Sequence, residues 1–379
     1  MSTVTNKLTK NILIVAGEPS GDLHAAKLVK CTKEKYPKIN FIGMGGKLMR
    51  EAGVKLIVDS NKLAVMGLFD AIFKFRKIHQ AYQKIKKQIL NKKPNLVILV
   101  DYPGFNLAIA KLAKKHQCRV AYYIPPKLWA SRPHRAKKIR KYVDELLVIF
   151  PFEVEFFKTL GIKAKFVGNE LVNEAKPTLS IIDAKRKFGL ENNSLIIGLF
   201  PGSRQGELKR LLPVMLNAAI LLQEKHKNIE FVIPLASSFS RQDIEPFLIN
   251  SKLKVTILDD NIYDIINVCD AIIAVSGTVT LQIGLMSKPM VVIYKISPEF
   301  IPIRKFINIK WIGLCNIVLQ KGVIKELLQR DASPDDIYQE IDKILSDKEY
   351  RHTMIAQLQN VRKKFVAVEK YDLTEIIAH

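Results

Sequence analysis

The chain has 379 residues, long for one compact domain and comfortable for two, and its 48% apolar content excludes a disordered protein. No uninterrupted apolar run approaches the roughly 18 residues needed to cross a bilayer, which excludes a helical integral membrane protein. The formal charge of +24 is extreme, and it is concentrated: nineteen lysines and arginines fall between Ala71 and Val143 against a single acid, Asp101. Such a surface attracts nucleic acid, anionic lipid head groups or phosphorylated metabolites, unless it is only a solvated, lysine-rich face.

The polar start, "MSTVTNKLTK", leads into a strand pattern without the apolar core of a secretory signal, so a cytoplasmic protein is expected. Cys31, Cys118, Cys269 and Cys315 have no paired spacing, and the seven histidines make no ligand-type cluster. Neither disulfides nor a metal is expected, and no cofactor.

In chain order, apolar runs recur at "NILIVAG" (11–17), "NLVILVD" (95–101), "VAYYIP" (120–125) and "ELLVIF" (145–150). They continue at "LIIGLFPG" (195–202), "EFVIPL" (230–235), "KVTILD" (254–259), "AIIAVSG" (271–277) and "PMVVIY" (289–294). Continuous apolar strands alternating with helical patterns are the mark of parallel sheets buried on both faces. The expected fold is α/β, with two doubly wound Rossmann-like domains facing a cleft. Polar and turn residues around 168–194 place the break, giving domains of 1–170 and 171–345, with C-terminal helices over 346–379 packing back on the first domain.

Between the first two runs, residues 62–90 read as an amphipathic helix whose core stripe is Ile72, Phe75, Ile78, His79, Tyr82, Ile85 and Ile89. Val65, Met66, Leu68, Phe69 and Phe73 are left over beside Lys74, Arg76 and Lys77. They form either an interfacial segment, anchored by apolar contacts and by attraction of the cations to anionic lipid, or a second side of the core.

Four stretches carry chemistry. "AGEPSGD" (16–22) turns from strand to helix without the glycine pattern of a pyrophosphate loop, leaving Glu18, Ser20 and Gly21 at a strand end, with Ser20 or Asp22 available as helix caps. Asp101 ends a strand before "YPGFN", either as a general base or as a turn cap, and Asn106 orients a hydroxyl, orients Asp101, or caps the next helix. In "LFPGSRQGELKRLLP" (199–213) Gly202 permits close approach, Ser203 is a cap candidate and Arg204 offers a fork of donors at a helix start. In "AVSGTVTLQ" (274–282) Ser276, Gly277 and Thr278 open another helix, with Gln282 one turn on and able to bond a sugar diol. Two anion-binding helix starts in one domain point to a diphosphate. Neither loop is of the Walker type, which disfavours a kinase or ATPase.

"AGEPSGD", "LAVMGLFDAI", "DYPGFN", "LWASRPHR", "FPGSRQGE" and "SGTVTLQ", in this order from about residue 11 to about 330, resemble the motif series of lipid-A-disaccharide synthases. The resemblance implies an inverting glycosyltransferase of the GT-B type, without a metal requirement. The implied reaction moves 2,3-diacylglucosamine from its UDP derivative to 2,3-diacylglucosamine 1-phosphate, forming a β-1,6 disaccharide and UDP. It implies Asp101 as base, and Gly202, Ser203, Arg204, Glu207, Ser276, Gly277, Thr278, Gln282 and Asn316 on the UDP-sugar. Glu18, Ser20, Gly21, Asn106, Arg132 and Arg135 fall on the acceptor side, and Met66, Leu68, Phe69 and Phe73 on an acyl or membrane patch of a peripheral enzyme at the inner membrane. The sequence departs from the family at Gln282, usually Glu, at 168–174, usually with Gly-His-Pro, at "PPKLWASRP", which lacks a usual serine and second tryptophan, and at "WIGLCNIV", usually Ser-Leu-Pro-Asn. Two other readings meet the same residues. Another GT-B enzyme of UDP-GlcNAc, a 2-epimerase or lipid glycosyltransferase, accounts for the C-terminal motifs but not the N-terminal ones. A nucleic-acid-binding protein accounts for the charge but calls for aromatics among the basic runs, which 127–143 offers little of.

Overall fold

The computed structural model describes residues 10–63, 71–249, 251, 253–296 and 310–378, without the side chains of 62, 63 and 71–75. It divides into two compact units, Met1–Gly168 with Val368–His379, and Asn169–Ala367.

The first unit runs β1 (Asn11–Ala16), α1 (Pro19–Lys35), β2 (Asn40–Gly45), α2 (Lys47–Glu51), β3 (Lys55–Asp59), α3 (Ala71–Lys92) and β4 (Leu96–Val100). It continues α4 (Pro103–Lys115), β5 (Arg119–Tyr123), α5 (Ala136–Tyr142), β6 (Glu145–Val148), α6 (Pro151–Thr159) and β7 (Ala164–Phe166). The second runs α7 (Leu171–Glu174), α8 (Ile181–Phe188), β8 (Leu195–Phe200), α9 (Gln205–Lys225), β9 (Ile229–Pro234), α10 (Arg241–Leu248), β10 (Val255–Leu258) and α11 (Ile262–Val268). There follow β11 (Ala271–Val275), α12 (Thr278–Leu285), β12 (Met290–Tyr294), α13 (Leu314–Leu319), β13 (Glu326–Leu328), α14 (Pro334–Ser346) and α15 (Lys348–Val366), after which α16 (Leu373–Ala378) belongs to the first unit again.

All pairings are parallel, in the order β3-β2-β1-β4-β5-β6-β7 in one sheet and β10-β9-β8-β11-β12-β13 in the other. The central strands are apolar throughout because helices cover both faces: all five residues of β4 and of β11 are buried. Four strands escaped the sequence pattern. β3, β7 and β13 lie at sheet edges, and the last two are only three residues long. β2, "NFIGMG", carries two glycines that interrupt its apolar signal.

The stretch 346–379, expected as helices packing back on the first domain, divides between the units. α15 packs on α12, α13 and α14, whereas α16 packs on α1 and adds Ile377 and Ala378 to the first core. Lys35 holds Asp372 at 2.6 Å, and the Lys10 ammonium donates to the Ala378 carbonyl. At the start of the second unit, the 1%-exposed Asp264 carboxylate accepts from the amides of Thr178 at 2.6 Å and Leu179 at 3.0 Å, fixing the segment ahead of α8.

Asp22 has a different task from the one expected. It lies inside α1, which begins at Pro19, and its buried carboxylate accepts from the amides of Gly46 (2.6 Å), Leu48 (3.1 Å) and Met49 (3.2 Å). It therefore caps α2 rather than its own helix, joining α1 to the end of β2. Replacing it strands three amides, of which two are buried. Asp22→Ala is expected to lower unfolding free energy by about 2 kcal/mol, read as a lower urea midpoint; an unchanged midpoint would show the cap to be dispensable.

Candidate functional site

Each sheet reverses its strand order once, between β1 and β4 in the first and between β8 and β11 in the second. At such a point the helices that follow the two strands leave on opposite faces, so a ligand can reach the strand ends and the first helical amides. Ala16 is paired with Val100, and Phe200 with Ala274, so the segments after them emerge side by side. The residues singled out in the sequence divide between these two places.

In the first unit, "AGEPSGD" is a two-residue turn, Gly17 and Glu18, followed at once by helix. Glu18 is the exposed N-cap residue of α1, Ser20 is exposed in its first turn, and Gly21 is buried. Ser20, one of the two expected caps, lies within the helix because Pro19, with its preset φ, starts it early. A side chain at Gly17 would stand 2.2 Å from the Tyr102 ring, so the glycine lets the β1–α1 and β4–α4 turns close on each other.

Asp101 follows β4 half-buried, and both it and Tyr102 are left-handed, with φ of +49° and +45°. Its carbonyl accepts from Asn106 Nδ2 at 2.7 Å and from the Tyr122 hydroxyl at 2.8 Å. Asn106 is fully buried and also donates to the Val100 carbonyl at 3.1 Å, so its amide nitrogen serves the end of β4. Burial raises the Asp101 carboxyl above its ordinary value, opposed by the Tyr102 amide and by the charges of Lys127 and His24. A carboxylate so placed is a stronger base than a solvated one.

The charges of Asp101, Arg135 and Glu18 all act on the buried Tyr122 phenol, so these groups gather at one strand end. Arg135 is pulled below the usual guanidinium range by burial and by its neighbour Arg132. Adjacent cations of this kind favour an anion beside them.

In the second unit, Gly202 turns the chain at φ +93°, and a side chain there would meet Glu207 Oε2 at 2.5 Å. Arg204, not Ser203, is the N-cap residue of α9, and the Ser203 carbonyl accepts from Ser238 Oγ at 2.7 Å. Arg204 reaches Glu207 Oε1 at 2.8 Å with its own side chain 79% exposed. Across the switch point, Ser276 Oγ donates to the Ile312 carbonyl at 2.8 Å, Gly277 is the N-cap of α12, and Gly277 and Thr278 are exposed. Gln282 is half-buried and donates to the Tyr263 hydroxyl at 3.3 Å.

Asn316 differs from expectation. It is fully buried, accepting from the amides of Val323 (2.7 Å) and Ile324 (3.0 Å) and donating to the Ile324 carbonyl and Glu326, each at 2.8 Å. Its carboxamide is thus spent on the fold of the loop between α13 and β13, leaving little for a nucleotide.

On α3, Ile85 and Ile89 are buried and Ile78 and Tyr82 half-buried, but His79 is exposed and faces Gln83 Nε2 at 3.1 Å. One residue past Ile78 the helix has already turned toward solvent, and a polar ring tolerates that edge. Val65, Met66, Leu68 and Phe69, and the side chains of Ile72, Phe73 and Phe75, lie outside the described residues.

Sequence reasoning missed Tyr122, which reads as a core aromatic of β5, and Glu153, which reads as a solvated acid of "PFEVEFF". The position of Glu153, third in a helix that starts with proline, is the available signal for a capping side chain. Only 2% exposed, it accepts from the Phe150 amide at 3.3 Å and from Trp129 Nε1 at 3.1 Å. Trp129 packs edge-on against Phe152, with ring centroids 5.4 Å apart. Glu153 thereby anchors the loop that carries Lys127, Arg132 and Arg135.

Two parallel sheets of one strand order, with polar groups gathered at each switch point, define a two-Rossmann-domain fold of the GT-B type. The UDP-GlcNAc 2-epimerase of Neisseria meningitidis, solved with UDP-GlcNAc, matches with a TM-score of 0.59 at 15% identity, over 94% of this chain and 98% of that one. MurG of Acinetobacter baumannii matches with a TM-score of 0.59 at 13% identity, over 97% and 98%. At such identities the likeness is one of fold. Sequence carries it further: the family model described as lipid-A-disaccharide synthetase matches residues 12–378. The lipid-A-disaccharide synthase of Geobacter sulfurreducens is 44% identical over 95% of this chain and 94% of its own, and that of Coxiella burnetii 41% over 93% of each. The chain belongs to the lipid-A-disaccharide synthase family, a family of glycosyltransferases.

Glu153 gives this site a pH signature. Burial pushes its carboxyl up from 4.5 to about 7, against the Trp129 and Phe150 hydrogen bonds and the Lys127 charge. With the folded value above the unfolded one, its stabilisation is fully present below pH 4.5 and is lost as pH rises through about 7. Urea unfolding of wild type and Glu153→Gln should therefore diverge with pH, wild type losing on the order of 3 kcal/mol more across that window. A pH-independent difference between the two would contradict the raised value.

Proposed function

We propose that the protein is a lipid-A-disaccharide synthase that moves a 2,3-diacylglucosaminyl group from UDP to the 6-hydroxyl of 2,3-diacylglucosamine 1-phosphate, with inversion. The observation that carries this reading is the extent of the family match, residues 12–378, with relatives 41–45% identical along nearly their whole length. The neighbouring epimerases share the fold at 11–15% identity and give no second reading.

In this reading the Asp101 carboxylate takes the proton of the acceptor hydroxyl. The freed oxygen attacks the anomeric carbon opposite the UDP, the bond to the β-phosphate oxygen breaks, and the new linkage is β. Support for Asp101 comes from its half-burial and its raised carboxyl at a strand end. UDP leaves as an anion, which the amides opening α9 and α12, with Ser203 and Arg204, stabilise. Glu207 holds the Arg204 fork, and Gln282 takes the ribose. Arg132 and Arg135 receive the acceptor phosphate, with the exposed Glu18 and Ser20 lining the acceptor side; Gly21 and Asn106, expected there, are buried, and Asn106 instead holds the end of β4.

The acylated substrates call for a peripheral enzyme at the cytoplasmic face of an anionic membrane. In support, α4 and α5 pack together and expose Lys111, Lys115, Lys137, Lys138, Arg140 and Lys141. No helix among the described residues is long and apolar enough to cross a bilayer. Met66, Leu68, Phe69 and Phe73 are the proposed acyl or membrane contacts.

The purified protein is expected to release UDP from UDP-2,3-diacylglucosamine only when the 1-phosphate acceptor is present, and without added divalent metal. Absence of acceptor-dependent UDP from folded protein overturns the assignment. Asp101→Ala should lower turnover by at least about 100-fold while UDP affinity, measured by calorimetry, stays within about two-fold. Collapse of UDP binding in that variant would remove Asp101 from the role of base.

A further inference from the structure

We propose that Tyr122 is a positioning residue for the transfer step, its buried hydroxyl fixing the turn that presents Asp101. The inference rests on the reading of Asp101 as the base.

Asp101 and Tyr102 are consecutive left-handed residues, with φ of +49° and +45°, and neither is glycine. L-residues adopt this conformation singly and at a cost, and two in a row persist only where the surroundings over-determine them. Here the peptide carbonyl between them receives two side-chain donors, Tyr122 at 2.8 Å and Asn106 at 2.7 Å. The Asp101 amide donates to the Tyr123 carbonyl at 3.2 Å, so the same turn is tied to β5 through neighbouring residues. Pro103 then opens α4, and the Tyr102 ring lies against Gly17. With its ring fully buried in the sheet, Tyr122 has little rotational freedom, and its hydroxyl is a fixed post under the turn.

The phenol also stays a donor at working pH. Burial and the Asp101 charge hold it well above the ordinary tyrosine range, Arg135 opposing. Without that hydroxyl, Asn106 alone holds the carbonyl, the left-handed pair relaxes, and the carboxylate of Asp101 loses both its direction and part of its burial. A base displaced by about 1 Å loses rate on the order of 100-fold, and a better hydrated carboxyl moves back toward its ordinary, lower value.

The experiment compares kcat, donor KM and the pH dependence of kcat for wild type, Tyr122→Phe and Asp101→Asn, with thermal unfolding as the check on folding. Tyr122→Phe is expected to lower kcat by about 10- to 100-fold with donor KM within about two-fold, and to shift the acidic limb to lower pH. A merely structural hydroxyl would leave that limb in place. Asn106→Ala, which removes the other donor to the same carbonyl, carries the test if the tyrosine variant folds poorly, and should move the limb the same way. Wild-type kcat and an unmoved limb in Tyr122→Phe, with Asp101→Asn inactive, overturn the positioning role alone. Turnover retained by Asp101→Asn overturns the base reading, and with it this one.

Discussion

A parallel strand buried on both faces has no room for polar side chains along its length, and this restriction governs where chemistry can occur in the protein. In β4 and β11 every residue is buried, and in β1 every residue after the first. Functional groups are pushed to the carboxyl ends, and the reversal of strand order decides which ends are open. Residues distant in sequence therefore meet: Gly17 with Tyr102 in one unit, and the segments after Phe200 and Ala274 in the other. The glycines at these ends answer to the same geometry, one making space for an aromatic ring and the other for the Glu207 carboxylate.

The two ends differ in their electrostatics. At the end of β4, burial works on a carboxyl, and a buried phenol sits among charges of both signs. At the end of β8, the Arg204–Glu207 pair involves an arginine that is 79% exposed. Solvent screening makes such a pair weak, so in the proposed mechanism Glu207 orients the fork without competing seriously against the diphosphate. In the proposed mechanism the group that takes a proton is thus half-withdrawn from water, and the group that meets a departing anion is left within its reach.

The apolar runs that alternate with helices made the two-sheet fold legible, because burial on both faces writes itself into consecutive residues. Edge strands β7 and β13 were not legible, since three residues at an edge carry no such pattern. The motif residues could be placed at strand ends from the sequence, but their hydrogen-bonding partners could not. Asp22 and Asn316 look alike on paper, polar residues in or near a motif, and both are absorbed by main-chain amides of other segments. Tyr122 and Glu153 carried no mark, because their importance lies in what they touch: a carbonyl twenty-one positions back and an indole twenty-four positions back.

Backbone conformation separates the two ends once more. Non-glycine residues in the left-handed region include Lys93, Gln117 and Gln320, which terminate helices, where that conformation is ordinary. Asp101, Tyr102, Ile124 and Arg132, which follow strands β4 or β5 of the first sheet, share the conformation without that excuse, as does Gln329 after the edge strand β13 of the second. For Ile124, β-branched and followed by Pro125, it is a severe outlier. Each such residue costs about 1–3 kcal/mol, which the surrounding structure must offset. At the β8 end the left-handed position falls on Gly202, which adopts it freely. An anion can be held by amides and an arginine with considerable latitude, whereas a base must meet one proton along one direction. With Asp101 as the proposed base, the strained pair lies where direction matters, whereas the β8 turn proposed to grip a charge places its left-handed position on a glycine.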